Sequence, residues 1–240
     1  MTNTPKRPEY RRVADTMRGR IAGGEYAPGE RLPTGKELAT ELEVSQGTAE
    51  KALRVLAAEG LITMTTQGTH VTRIPQKIRR AVPQRYEATY RERGRGAFDV
   101  EVREHGYEPR WETTVTETDD ATIRARKMWA DDVPVQIAVT TVPKAVAQES
   151  DVKGQDTGTG GIISRMAQAG HGQDLMREEI DVRPPTAEEQ EFLGLSEDHR
   201  VYELTHSAYA EDGTTVETTV HVMPTHLWSL AYTWYPDESR

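Results

Sequence analysis

The sequence predicts an α+β protein in two parts: a small, mostly helical unit in the first third, then an antiparallel sheet with helices. Three observations predict it. Residues 34–74 read as two capped helices joined by two residues and followed by a hairpin. Two hairpin-like segments near residues 126–143 and 206–224 resemble each other in their aromatic-Ala approach, acidic turn and closing proline. The charge also reverses along the chain. Residues 1–96 hold 18 Lys and Arg against 11 acidic residues, and residues 97–240 hold 12 against 28, within a net charge of −9. A basic first part can meet phosphates while the acidic remainder points away. The boundaries read as 1–74, a basic linker over 75–96, and 97–240.

The elements follow in order. Residues 1–9 are rich in proline and charge and are expected to be partly disordered. Tyr10 to Ala22 carries Val13, Met17 and Ile21 on one stripe, which is a helix period. Arg11, Arg12, Arg18 and Arg20 surround its polar side, either merely solvated or, at Arg11 or Arg12, in contact with phosphate. Gly23-Gly24 ends it. Thr34 and Glu37 have capping-box spacing and start a short helix. Ser45 can cap a second, over Ser45–Glu59, because its hydroxyl accepts from an orphan N–H of the first turn. Ala49, Ala52, Leu53 and Leu56 form the apolar face of that helix, and Gly60 supplies a left-handed stop. Two helices so closely joined must cross steeply. Leu61–Met64 reads as a strand, Thr66-Gln67-Gly68-Thr69 turns, and His70–Ile74 returns. Helix, turn, helix and hairpin make a winged helix, whose second helix can enter a DNA major groove.

The pieces Tyr10-Arg11-Arg12-Val13-Ala14, Gly29-Glu30-Arg31-Leu32-Pro33, Glu37-Leu38-Ala39, Val44-Ser45, Lys51-Ala52-Leu53, Glu59-Gly60-Leu61-Ile62 and Gln67-Gly68-Thr69 together resemble the GntR family of bacterial transcription regulators. The resemblance implies a DNA face. The expected contacts are Arg11, Thr34, Lys36, Ser45, Gln46, Gly47, Thr48, Glu50 and Lys51, with Gly68, Thr69 and His70 at the wing. The family usually has arginine where this chain has Lys36, Gln46 and Glu50. Glutamine favours adenine, and a glutamate accepts from a cytosine amino group.

In the second part, Phe98–Pro109 fits a short helix stopped by Gly106 or, from its alternation, a strand. Trp111–Thr118 is a strand by its Thr and Val content. Gln155–Gly161 is a glycine-rich loop without the Lys-Ser/Thr ending of a P-loop. Ile162–Ala169 reads as helix and Met176–Val182 as strand, broken by Pro184-Pro185. Thr186 caps Ala187–Leu193, and Gly194 ends that helix. This order resembles the UTRA effector domain of the HutC subfamily of GntR regulators, whose fold is similar to chorismate lyase. The resemblance implies a homodimer reading an inverted-repeat operator in double-stranded DNA, and a small effector, often a sugar phosphate or a carboxylate. Arg126 matches the first arginine of the family's Arg-x-Arg strand, with Met128 in the second place. Ala138 stands where a glutamate is often found, and Glu217 matches an acidic pocket residue. The missing arginine and carboxylate point away from a phosphosugar, toward a less charged ligand or none. Arg126, Thr140 and Glu217 are the candidate effector-binding residues.

Other function classes find little support. No apolar run approaches the ~20 residues that span a bilayer, and the N-terminus lacks the apolar stretch of a signal peptide. Zero cysteines exclude thiolate chemistry and fit a cytoplasmic protein. None of the seven histidines sits in a metal-ligand spacing, although His206 and His221 can meet across a hairpin. Asp131-Asp132 lie in a turn, and Glu178-Glu179 point to opposite faces of a strand. No metal, cofactor or catalytic residue is expected. The favoured reading is a repressor released by a small molecule. A repressor whose second domain only dimerises, or an enzyme of lyase-like fold, are the alternatives.

Overall fold

A computed structural model of the chain describes residues 8–65, 68–74 and 76–234. Three helices open it: α1 (Glu9–Ala22), α2 (Gly35–Glu41) and α3 (Gln46–Ala58). Thr34 makes the expected capping box with Glu37, and Ser45 accepts from the Thr48 N–H. The tight joint between α2 and α3 places Glu43 at φ 53°, a left-handed conformation rare outside glycine. Strands β1 (Ile62–Thr65) and β2 (Gly68–Val71) pair antiparallel as the wing; Thr66 and Gln67 of the expected turn lie outside the described residues. Met17, Leu38, Ala49, Ala52, Leu53, Leu56 and Ile62 share one core, so the predicted stripes of α1 and α3 face each other.

The segment read as a linker is folded. Residues Ile78–Val82 form β3, followed by a 3-10 turn and α4 (Ala88–Arg91). Strand β3 runs parallel to the last strand among the described residues, with Ile78 opposite Trp228 and Val82 opposite Tyr232. The alternation of Ile78, Arg80 and Val82 is what a half-buried strand needs. Ile78 and Trp228 both enter the core of the second domain, and Arg80 is 1% exposed.

Helix α5 (Ala97–Glu104) settles the ambiguity at Phe98 in favour of helix. Then come β4 (Pro109–Glu117), β5 (Ala121–Ala130), β6 (Val133–Pro143), α6 (Lys144–Glu149), α7 (Gly161–Gln168), β7 (Leu175–Arg183), α8 (Ala187–Leu193), β8 (Val201–Tyr209), β9 (Thr215–Pro224) and β10 (Trp228–Tyr232). Six of these strands form one antiparallel sheet in the order β4-β5-β6-β9-β8-β7. The two related hairpins, β5-β6 and β8-β9, meet at its centre through β6 and β9.

The two domains touch at the end of α3. His226 packs on Gly60, so close that a Cβ there would lie 2.2 Å from the His226 Cβ. His199 accepts from the Ser196 N–H on Nδ1 at 3.1 Å and hydrogen-bonds the Ala57 backbone. Its ring lies 5.1 Å from that of His226.

Candidate functional site

Two regions gather the expected residues. The first is the surface formed by the N-termini of α2 and α3 together with the wing. Ser45, Gln46 and Gly47 are exposed at the start of α3, with Thr48 half-buried behind them. Thr34 and Lys36 lie exposed at the start of α2. The Thr34 hydroxyl is engaged by the Glu37 carboxylate at 2.8 Å. Gln46 donates from Nε2 to Glu50 Oε1 at 2.8 Å. Glu50 is half-buried against Gly35, where an added Cβ would sit 2.7 Å from the Glu50 Cγ. The Lys51 ammonium lies 4.2 Å from the Tyr10 ring centroid, joining α3 to α1, and Arg11 is exposed beside it. The wing is braced by Leu32 N–H donating to the Thr69 carbonyl and by a bridge between Arg31 and His70. Arg31, absent from the expected contacts, thus stands at the base of the wing. Its position before Leu32-Pro33, in a stretch that must return to the hairpin, was the sequence clue.

The second region is a cavity of about 100 Å³ between the sheet, the segment 85–98 and the glycine-rich loop 155–161. Its walls take Arg126 from β5, Glu217 from β9, and Arg85, Tyr86 and Arg91 from the former linker. Thr140 lies just behind, 0% exposed. Its hydroxyl accepts from Arg126 Nη2 at 3.1 Å and meets Thr219 Oγ1 at 2.8 Å. The three candidates Arg126, Thr140 and Glu217 are therefore one cluster. Arg124, two residues before Arg126 and on the same face of β5, also lines the cavity. Arg124 is absent from the expected pocket, in which Arg126 was paired with Met128, although Arg124-Ala125-Arg126 is itself an Arg-x-Arg. Arg124 donates to the loop carbonyls of Val152 and, at 2.6 Å, Gly154, and so anchors the loop that closes the cavity.

The electrostatics are lopsided. Burial lowers the Arg126 and Arg91 guanidinium pKa values, and it pushes Arg124 down to about 10. Among the described residues, none of these three forms a carboxylate salt bridge. Arg91 donates to the Tyr86 carbonyl. The Nε atoms of all three are buried without a partner. Nearby carboxylates are otherwise engaged: Glu101 with Arg85 at 2.8 Å, and Asp99 with Arg103 at 2.8 Å. Glu217 accepts from Gln173 at 2.8 Å, and burial raises its pKa despite that bond and the pull of Arg126. His206 is pushed down to about 4, and His221 well below its usual range, both by burial. These two do not face each other directly: His206 is opposite Thr219, and His221 is opposite Leu204. Beside them, Glu178 of β7 binds Arg80 and Tyr86, and accepts from Tyr232 at 2.7 Å. Burial works against the Glu178 charge, but Arg80 and the two phenols outweigh it and lower its pKa. The other adjacent acid, Glu179, faces Arg177 at 2.7 Å on the opposite side of the strand.

Comparison with known proteins fits both regions. Residues 9–71 match the model for bacterial regulatory proteins of the gntR family, and residues 111–227 match the UTRA domain. An uncharacterized HTH-type transcriptional regulator of Streptomyces coelicolor is 30% identical over 95% of this chain and 94% of its own. The chain belongs to the GntR family. This GntR protein is a DNA-binding transcriptional regulator with a UTRA effector domain, and not an enzyme. The mannosyl-D-glycerate transport/metabolism system repressor of Escherichia coli is 42% identical over 66 residues, covering 27% of this chain and 28% of its own. A solved GntR-family regulator superposes with a TM-score of 0.57 at 27% identity, covering 96% and 98% of the two chains. PhnF of Mycobacterium smegmatis shares the fold at 18% identity, with a TM-score of 0.53 and coverage of 94% and 100%. Among the described residues, no helix is long and apolar enough to cross a membrane.

Proposed function

We propose that this GntR regulator is a cytoplasmic repressor that binds an inverted-repeat operator as a homodimer and is released when a small anion fills the cavity at Arg126. The observation that carries the reading is that, among the described residues, Arg91, Arg124 and Arg126 are walled into that cavity without a salt bridge to a carboxylate, Glu217 acting on Arg91 and Arg126 only through its charge. A buried cation is costly unless paired. Arg91 and Arg126, with Thr113 Oγ1 also lacking a partner, are laid out as donors for phosphate or carboxylate oxygens. One winged helix buries too little surface for high specificity, so two half-sites are needed. The surface for a second copy is β7, an edge strand with Val182 58% exposed beside Ile180 on one face and Leu175 62% exposed on the other. Unpaired edges with apolar side chains are normally covered.

Thermal-shift screening with phosphorylated and carboxylated metabolites tests the effector. Hits are then titrated with and without operator. Coupling between two sites is reciprocal, so operator must weaken ligand binding by the factor by which ligand weakens operator binding. Equal affinities in both titrations leave a domain that only dimerises. Light scattering of the full chain at micromolar concentration tests the dimer, and Leu175→Lys with Val182→Lys is expected to yield monomers.

A further inference from the structure

Glu50 stands where a base-reading side chain is expected, yet its carboxylate is already committed. Gln46 Nε2 donates to Glu50 Oε1 at 2.8 Å. Glu50 is also wedged over Gly35, with room only because that residue has no Cβ. We propose that Glu50 is a positioning residue for operator choice: it fixes the amide of Gln46 so that Gln46 selects adenine over guanine. The proposal rests on the reading of α3 as the recognition helix.

The chemistry follows from donors and acceptors. An ionised carboxylate only accepts, so the nitrogen of the Gln46 amide must face it, and the amide cannot flip without losing the bond. That leaves Gln46 Oε1 and the second N–H turned away from Glu50. One acceptor beside one donor complements the adenine edge, N6–H and N7, in the major groove. Guanine offers two acceptors there, O6 and N7, and meets the fixed amide oxygen with repulsion. Gln46 is exposed at the first position of α3, and nothing lies within 4 Å of where a Gly47 side chain would start, so the approach is open. Glu50 itself is half-buried and one turn farther back. Its charge also opposes phosphates wherever the helix lies on DNA.

Selective enrichment of random DNA on the full-length protein tests this with Gln46→Ala, Glu50→Gln and Gly35→Ala. Wild type is expected to select one adenine per half-site at which Gln46→Ala relaxes preference about 5- to 150-fold, the range of one bidentate base contact. Glu50→Gln keeps the shape but allows the amide to turn. It should relax the same adenine about tenfold while tightening binding to scrambled DNA, because a negative charge near phosphate has gone. Gly35→Ala, which dislodges Glu50 without removing its charge, should relax that adenine too. A variant that merely damages the fold weakens both operator and scrambled DNA, and a melting curve identifies it. Full adenine preference in Glu50→Gln, or relaxation at a base pair other than the one Gln46→Ala affects, overturns the positioning role. No change anywhere in Gln46→Ala removes the recognition-helix reading as well.

Discussion

Replacing Arg126 by methionine separates a residue kept for a ligand from one kept for the fold. Among the described residues the guanidinium hydrogen-bonds Thr140 and leaves Nε without a partner. A hydrogen bond to a charged group is worth ~1.5–3 kcal/mol. Against that stands the desolvation of the cation, the main cause of its lowered pKa. Thr140 keeps its bond to Thr219 in the variant, so no hydroxyl is orphaned. Replacing this cation, which forms no salt bridge among the described residues, by an apolar chain removes its desolvation cost, offset in part by the loss of its pull on the buried Glu217 carboxylate. Arg126→Met should therefore unfold within about 1 kcal/mol of wild type, or later. The effect on an anion has the opposite sign. Losing one charge-assisted contact of ~1.5–3 kcal/mol weakens affinity roughly 10- to 150-fold. A ligand at 100 times its Kd stabilises by ~2.7 kcal/mol, a shift of roughly 5–10 °C for a chain of this size, and most of it should disappear. Thermal denaturation with and without a screening hit, alongside operator affinity without it, measures all three quantities. A fold weakened by more than about 3 kcal/mol, or an undiminished ligand shift, refutes the reasoning.

Acidification should loosen the domain contact. His226 is pushed down to about 3 and His199 is also lowered, both chiefly by burial. A depressed pKa means that the unfolded state binds the proton first. Stability is then full above about pH 6.5 and falls as pH drops toward the folded values, by up to ~1.4 kcal/mol per pH unit per group. Urea unfolding between pH 7.5 and 4.5 should show this, and His199→Gln should flatten the slope. Gly60→Ala places a side chain at φ 77° and against His226. It should cost ~1–2 kcal/mol from the backbone alone, plus the displaced contact, and calorimetry should show the winged helix melting apart from the rest. Conversely, Glu43→Gly relieves a left-handed glutamate at φ 53° and should stabilise by roughly 0.5–1 kcal/mol, raising Tm by a few degrees.

Local chemistry made the first domain legible. Thr34, Ser45 and Gly60 act within a turn of themselves, so their roles are written in neighbouring residues. The two hairpins were equally readable, because Asp131-Asp132 and Asp212-Gly213 mark their own turns. The connector misled for a physical reason. Ile78-Arg79-Arg80 is basic enough to look solvated, and Glu178 together with the pairing on Leu230, both far along the chain, reveals why Arg80 is inside. At the cavity, Arg126, Thr140 and Glu217 were expected from the two hairpins and the family resemblance, and the pairing of β5, β6 and β9 gathers them. Arg85 and Arg91 were not expected, since nothing local ties a short turn and helix after a proline to a sheet floor. Short α6 and parallel β10 escaped for the same reason: their partners set them, not their own patterns.

The parallel pairing of β3 with β10 joins the residues that leave the winged helix to nearly the last described ones. During synthesis the winged helix has all its core partners once Val71 has left the ribosome. The strand that carries it onward must wait for Trp228 to Tyr232 before it gains an edge to lie on. A chain ending before Trp228 would therefore join a folded winged helix to the second domain through a segment without the strand it pairs with. The tie between the two domains is thus completed only when Trp228 to Tyr232 have been made.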